Sequence, residues 1–265
     1  MTDLSNLMRK PPEKPRDVVG RVHSVSALGT GAGPGVRFVI FLDGCPLRCA
    51  QCAERDDDGC HAGGHDDLDD AEPIAEPSSH GAMDSLIGRI ARHADYMRVS
   101  GGGVTVAGAE PLAQAPFVRE LFRRCHAMGV RTALDTSGGG NVFAAKGLLH
   151  LTDLVVLDLT PFEPGPLAIR SRFADMLRAS GKPIWIRLAV IPGVNDQPRH
   201  VRALAEFAAS LPEVERVEVL PFSQLATIKL RDRCPVAALR TLAPPTVPQV
   251  RAVRNMFRGH GLRTC

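Results

Sequence analysis

Apolar positions along this chain follow two alternating rhythms. Val36-Arg37-Phe38-Val39-Ile40-Phe41-Leu42 is a short, almost unbroken β-branched and aromatic run, the pattern of a strand covered on both faces. Met83, Leu86, Ile87, Ile90, Ala91 and Ala94 instead recur at helical spacing over 83–97. The alternation continues to the C-terminus. It predicts strands over 103–107, 130–134, 153–158, 183–191 and 214–220, and helices over 116–128, 142–149, 167–180, 199–210 and 247–259. Upstream, 18–28 reads as a strand followed by a glycine-dense turn over 29–35. Repeated strand–helix units imply a parallel sheet with right-handed crossovers. Periodicity alone does not choose between an open doubly wound sheet and a full or partial barrel.

Composition narrows the class. The 265 residues are 44% hydrophobic and 23% charged, an ordinary globular balance. No apolar run approaches the roughly 20 residues of a membrane span. The first 17 residues are polar with three prolines, which reads as an arm without a signal peptide. Seven cysteines, an odd number, argue for a reducing cytoplasm over a disulfide scaffold. Aromatic residues are only 5%, and no basic run or recognition helix stands out, so nucleic-acid binding is not expected. The absence of an unassigned apolar stripe favours a monomer. The formal charge of +3 hides an asymmetry: from Glu54 to Glu76 the chain carries ten acids and one base, a net −9, which leaves +12 for the remainder. This segment reads as a solvated loop, with docking of a basic partner as the functional alternative.

The sharpest chemical signal is Cys45, Cys49 and Cys52, spaced C-x3-C-x2-C directly after the first strand of the series. Three thiolates on one loop can hold three irons of a 4Fe–4S cube, leaving the fourth open to another ligand. A structural zinc site completed by Cys60, His61 or His65, or three unligated thiols, would use the same spacing. Cys125, Cys234 and Cys265 belong to no motif, and Cys60 alone cannot support a second cluster.

Further segments occur in order: Gly44-Cys45-Pro46-Leu47-Arg48-Cys49-Ala50-Gln51-Cys52, Ser100-Gly101-Gly102-Gly103-Val104-Thr105, Gly108-Ala109-Glu110, Leu134-Asp135-Thr136-Ser137-Gly138, Val156-Leu157-Asp158-Leu159 and Trp185-Ile186-Arg187-Leu188-Ala189-Val190-Ile191-Pro192-Gly193. Together they resemble the radical S-adenosylmethionine (SAM) superfamily, and within it the activating enzymes of glycyl radical enzymes. The resemblance runs from about residue 20 to 222 and weakens beyond. It implies an α/β fold, a partial (βα)6 barrel with an N-terminal strand extension, the cluster lying at the C-terminal ends of the strands. The implied organisation is an arm over 1–17, a barrel over 18–243 with an acidic insertion over 54–80, and a C-terminal helix and tail over 244–265.

The resemblance also implies a function. The three cysteines bind one 4Fe–4S cluster, the open iron takes SAM, and reductive cleavage yields a radical that removes hydrogen from a glycine of a formate acetyltransferase-like partner. Flavodoxin or ferredoxin supplies the electron. No acid–base dyad is needed, because the cofactor carries the chemistry. Gly108, Ala109 and Glu110 stand where the family pairs backbone with the SAM amino group. Asp135 and Asp158 stand where acids hold SAM or a monovalent cation, and Arg187, inside an apolar strand, calls for a carboxylate ligand or partner. A helix cap for Asp135 and a structural ion pair for Arg187 are the alternatives. The chain departs from the family pattern at Ala32 (an Asp), Gln51 (an aromatic), Ala53 (a His), Ala109 (a Gly), Thr160 (a Lys) and Ser223 (a His). The Ala109 replacement matters only if that turn demands a positive φ. A relative acting on another substrate, or one that keeps the cluster without cleaving SAM, would share the same cysteines.

Overall fold

A computed structural model describes residues 18–29, 31–44, 72–73, 82–139, 142–160, 168–222 and 242–265. The strands are β1 (Val22–Gly29), β2 (Arg37–Leu42), β3 (Glu72–Pro73), β4 (Gly103–Ala107), β5 (Arg131–Thr136), β6 (Leu154–Asp158), β7 (Ile184–Val190) and β8 (Val214–Pro221). The helices are α1 (Ala82–Ser100), α2 (Ala115–Ala127), α3 (Val142–Leu149), α4 (Ala168–Ser180), α5 (Pro198–Ala209) and α6 (Val247–Gly259). They form one eight-stranded sheet in the order β3-β1-β2-β4-β5-β6-β7-β8. β2 and β4 to β8 run parallel, while β1 lies antiparallel to both β2 and β3.

Every predicted strand and helix is present within a few residues. β1 begins at Val22, four residues later than the pattern suggested, and two residues of the acidic segment, Glu72 and Pro73, pair with Val25 and Ser24. Two features escape periodicity. A 3-10 turn, Pro111–Gln114, precedes α2. Beyond α6, Arg263 to Cys265 run along the free side of β8, with Val217 N–H donating to Arg263 O at 2.7 Å and Cys265 N–H to Val217 O at 3.0 Å.

Alternation sorts the strand residues onto two faces. Phe38, Ile40, Val104, Val106, Leu134, Val155, Ile186 and Val217 point outward into one core with Ile90, Leu121, Phe122, Leu148, Leu204 and Phe257 of the helices. The inner face carries two small apolar clusters, Ala32-Val39-Phe41-Ala107 and Ala133-Leu154-Val156-Trp185. The sheet curls around them. Arg187 on β7 donates to the Gly31 carbonyl in the turn before β2 at 2.8 Å. Four strand spacings of about 4.8 Å would keep these apart in a flat sheet. The glycine-dense turn therefore rises inside the half-barrel, held a second time where Thr105 Oγ1 donates to Ala32 O at 2.8 Å.

The Ser100–Gly103 stretch has a steric origin. A Cβ on Gly102 would lie 1.8 Å from the Val36 carbonyl oxygen, so only glycine lets the end of α1 pass under the start of β2. Ser100 Oγ accepts from the Val36 N–H at 3.0 Å beside it. α6 begins after the proline-rich link with a capping box, Thr246 Oγ1 accepting from Gln249 N–H and Gln249 Oε1 from Thr246 N–H.

Candidate active site

The parallel strands deliver their C-terminal residues to one rim. β2 ends at Leu42 and leads through Asp43 and Gly44 into the cysteine loop; Cys45, Cys49, Cys52, Gln51 and Ala53, like Ser223 after β8, lie outside the described residues. The base of that loop is anchored. The Gln114 side chain accepts from Arg21 N–H at 2.7 Å and donates to Asp43 O at 2.9 Å, tying the start of the 3-10 helical region to the exit of β2.

Next to it, β4 ends in Gly108-Ala109-Glu110. Gly108 has φ +73° and Ala109 φ +41°, so this turn does demand the left-handed region, and here an alanine occupies it. An L-residue there costs about 1–2 kcal/mol. Ala109→Gly is accordingly expected to raise stability by about 1 kcal/mol, net of the added freedom of the unfolded chain. Thermal or urea denaturation reads the gain directly, and an unchanged or lowered midpoint would count against a strained turn.

Glu110 does not project into the rim. Its carboxylate is buried and accepts four bonds: from Leu112 N–H at 3.0 Å, Thr136 Oγ1 at 2.5 Å, Ser137 N–H at 3.1 Å and Ser137 Oγ at 2.7 Å. Burial pushes its carboxyl up, and the donors pull it back without cancelling the effect. Glu110 thus clamps the β4 turn to the end of β5, which leaves the Gly108-Ala109 backbone as the part of this motif available to a ligand.

The inner rim of β5 to β8 carries Asp135, Asp158, Arg187 and Glu218. Arg187 is paired on two sides: Nη1 donates to Asp135 Oδ2 at 2.6 Å, while Nε and Nη2 donate to Glu218 Oε2 at 3.2 and 3.1 Å. Burial alone would lower the Arg187 pKa, but Asp135, Glu218 and Asp158 outweigh it and hold the guanidinium charged. Arg216 closes the chain, 3.0 Å from Glu218 Oε1 and stacked 4.2 Å above the Trp185 ring. Both open readings of Arg187 meet here: it forms a structural ion pair, and one partner is the acid singled out at the end of β5. Glu218 was not anticipated. Its signal is its place in Val217-Glu218-Val219, where an acid interrupts an apolar strand in register with Arg187.

Asp158 has no cationic partner of its own. Its Oδ1 accepts from Thr160 N–H at 2.8 Å, and Thr160 Oγ1 accepts from Ala189 N–H at 2.8 Å, so threonine folds back onto β7. Burial first, and the nearby Asp135 second, push the Asp158 carboxyl above its ordinary value. An acid raised in the folded state penalises folding above that raised pKa and not below its unfolded value of 3.8. Asp158→Asn is therefore expected to melt higher than wild type at pH 7–8, with the gain vanishing as pH falls to about 4. A pH-independent difference would show that charge is not the cause.

Among the described residues no three or more His, Cys, Asp or Glu side chains converge on a metal site. Cys125 is buried, its thiol pushed up to about 12 by burial, which makes it core filling. Arg37, also unanticipated, lies buried low on the inner face, donating to Thr105 Oγ1 at 2.9 Å and Val104 O at 2.6 Å. No helix among the described residues is long and apolar enough to cross a membrane.

Comparison with known proteins places this rim in context. Residues 32–157 match the model of a 4Fe–4S single cluster domain family. The pyruvate formate-lyase-activating enzyme of Listeria monocytogenes is 37% identical over 230 residues, covering 82% of this chain and 87% of its own. That of Staphylococcus epidermidis is 35% identical, covering 90% and 94%. The pyruvate formate-lyase 1-activating enzyme of Escherichia coli is 33% identical, covering 92% and 97%. In fold, the chain is similar to a radical SAM methyltransferase from Sphaerobacter thermophilus (TM-score 0.54, 16% identity, 93% of this chain and 76% of the other). It is likewise similar to Streptococcus suis SuiB bound to precursor peptide SuiA (TM-score 0.55, 14% identity, 88% and 48%).

Proposed function

We propose, from a chain that belongs to the family of pyruvate formate-lyase-activating enzymes, that it reductively cleaves SAM and generates a glycyl radical in a pyruvate formate-lyase-like partner. The observation that carries this reading is the convergence at one rim. A C-x3-C-x2-C triplet begins directly after Gly44 at the exit of β2. It opens at the strand ends where the left-handed Gly108-Ala109 turn and the Asp135–Arg187 pair also lie.

The donor set fits a 4Fe–4S cluster: three thiolates are soft ligands, and three rather than four leave one iron for SAM. When bound, such a cluster supplies the electron and the open coordination site for SAM cleavage. Cys45, Cys49 and Cys52 hold it. The Gly108 and Ala109 backbone faces the amino end of SAM, with Glu110 keeping that turn in place. Asp135 and Asp158 provide negative charge, for SAM itself or a monovalent cation beside it, and Arg187 orients Asp135. Gln51, Ala53, Thr160 and Ser223 complete the pocket. Thr160 brings no positive charge, so the rim acids face a sulfonium without a competing lysine. The inner apolar clusters keep water from the reacting centre. The enzyme works in the cytoplasm as a monomer, takes its electron from flavodoxin or ferredoxin, and admits the partner's glycine-bearing segment through the open side of the barrel.

Anaerobic reconstitution with iron and sulfide, followed by dithionite and SAM, is expected to yield 5′-deoxyadenosine. Adding pyruvate formate-lyase is expected to yield an organic radical signal on that protein. A fully loaded cluster with no 5′-deoxyadenosine would sink the proposal, and zinc without iron in the purified protein would replace it with a structural metal site.

A further inference from the structure

We propose that Glu218 is a positioning residue for SAM binding, acting through Arg187 on both Asp135 and the interior turn. The proposal rests on the reading above that SAM occupies this rim.

Arg187 is a planar fork whose donors have fixed relative directions. Glu218 Oε2 takes Nε and one Nη2 proton, which stops the fork from turning about its long axis. With that edge held, Nη1 reaches Asp135 through Oδ2, and the other Nη2 proton reaches the Gly31 carbonyl at 2.8 Å. Two consequences follow for the pocket. Asp135 commits Oδ2 to Arg187, so Oδ1 is left to a ligand. The glycine-dense turn that floors the half-barrel is held at its working height. Without the Glu218 charge, the guanidinium is free to rotate into a two-oxygen pair with Asp135, which takes up Oδ1 and releases Gly31.

Glu218 is suited to this by position. It lies on β8, in register with Arg187 on β7, and is 7% exposed. Its second oxygen is held by Arg216, itself stacked on Trp185. It does not touch the space in front of Gly108-Ala109, so it acts through Arg187 and not on SAM.

The test uses the reconstituted full-length enzyme under anaerobic conditions, with SAM as the probe. Glu218→Gln is expected to weaken SAM binding by equilibrium dialysis about tenfold and to raise KM for SAM to match. Its kcat for 5′-deoxyadenosine is expected to stay within about threefold of wild type. Glu218→Asp, which keeps the charge on a shorter arm, is expected to fall between, near threefold in affinity. Emission from Trp185, the single tryptophan, reports the disturbance of Arg216. A Glu218→Gln protein that melts lower yet binds SAM with wild-type affinity and KM would overturn the proposal, leaving Glu218 merely structural. Should that variant fail to fold, wild-type affinity in Glu218→Asp overturns it equally. A wild-type enzyme with a loaded cluster that neither binds nor cleaves SAM would overturn the parent reading, a result distinct from any difference between variants.

Discussion

Replacing any one of Cys45, Cys49 or Cys52 with serine is expected to abolish the cluster and reduce 5′-deoxyadenosine formation to background. Three thiolates are the minimum that leaves a single open iron, and a serine hydroxyl is a hard, weakly acidic donor that does not take a thiolate's place. Iron and sulfide content, with the broad visible absorption of the reconstituted protein, reads the first effect; product chromatography reads the second. Cys125→Ser is the matched control. That thiol is buried in the helix-side core and belongs to no ligand set, so its replacement is expected to cost stability while leaving the iron content at wild type. Full cluster loading in all three serine variants would show that the ligands lie elsewhere.

Arg187→Leu is expected to be the most destabilising of the substitutions considered. Arg187 is 8% exposed in its side chain, and its partners Asp135 and Glu218 are 11% and 9% exposed. Removing the cation strands two buried carboxylates, and breaking a buried pair in this way costs about 3–5 kcal/mol. The sign of the pH dependence follows from which groups are left. Without Arg187 the folded pKa of Asp135 rises further above 3.8, because burial and Glu218 both oppose its charge. The penalty is present above that raised pKa and is lost as pH falls toward the unfolded value. Urea denaturation at pH 8 and pH 5 checks this: the gap between variant and wild type is expected to narrow at pH 5. A gap that is equal at both would mean that lost packing, not stranded charge, sets the cost.

The same residues show how far the sequence could be read. Strands such as Phe38-Val39-Ile40-Phe41 and helices such as α1 are legible because local periodicity mirrors burial, and burial dominates the choice between strand and helix. The cysteine triplet and the Gly108-Ala109-Glu110 turn are legible because their chemistry depends on neighbours in sequence. Glu110 was legible as a motif but not in its role. Its four donors include Thr136 and Ser137, which become neighbours only when β4 and β5 pair. Glu218 was missed because a lone acid in Val217-Glu218-Val219 has no local partner to mark it. The rise of the 29–35 turn into the barrel was missed because glycine carries no pattern of burial.

The sequence by itself determined the order of strands and helices, the thiolate donor set and its place after β2, and the backbone demand for small residues at Gly102 and Gly108. These follow from hydrophobic period, ligand spacing and local sterics, all properties of short stretches. Only the tertiary structure decided which charges meet. Asp135, Arg187 and Glu218 lie 52 and 31 residues apart in the chain, and Arg187 to Gly31 spans 156. Curling a parallel sheet brings them within hydrogen-bonding distance on its inner face, where burial makes every unpaired charge costly and so selects the pairing.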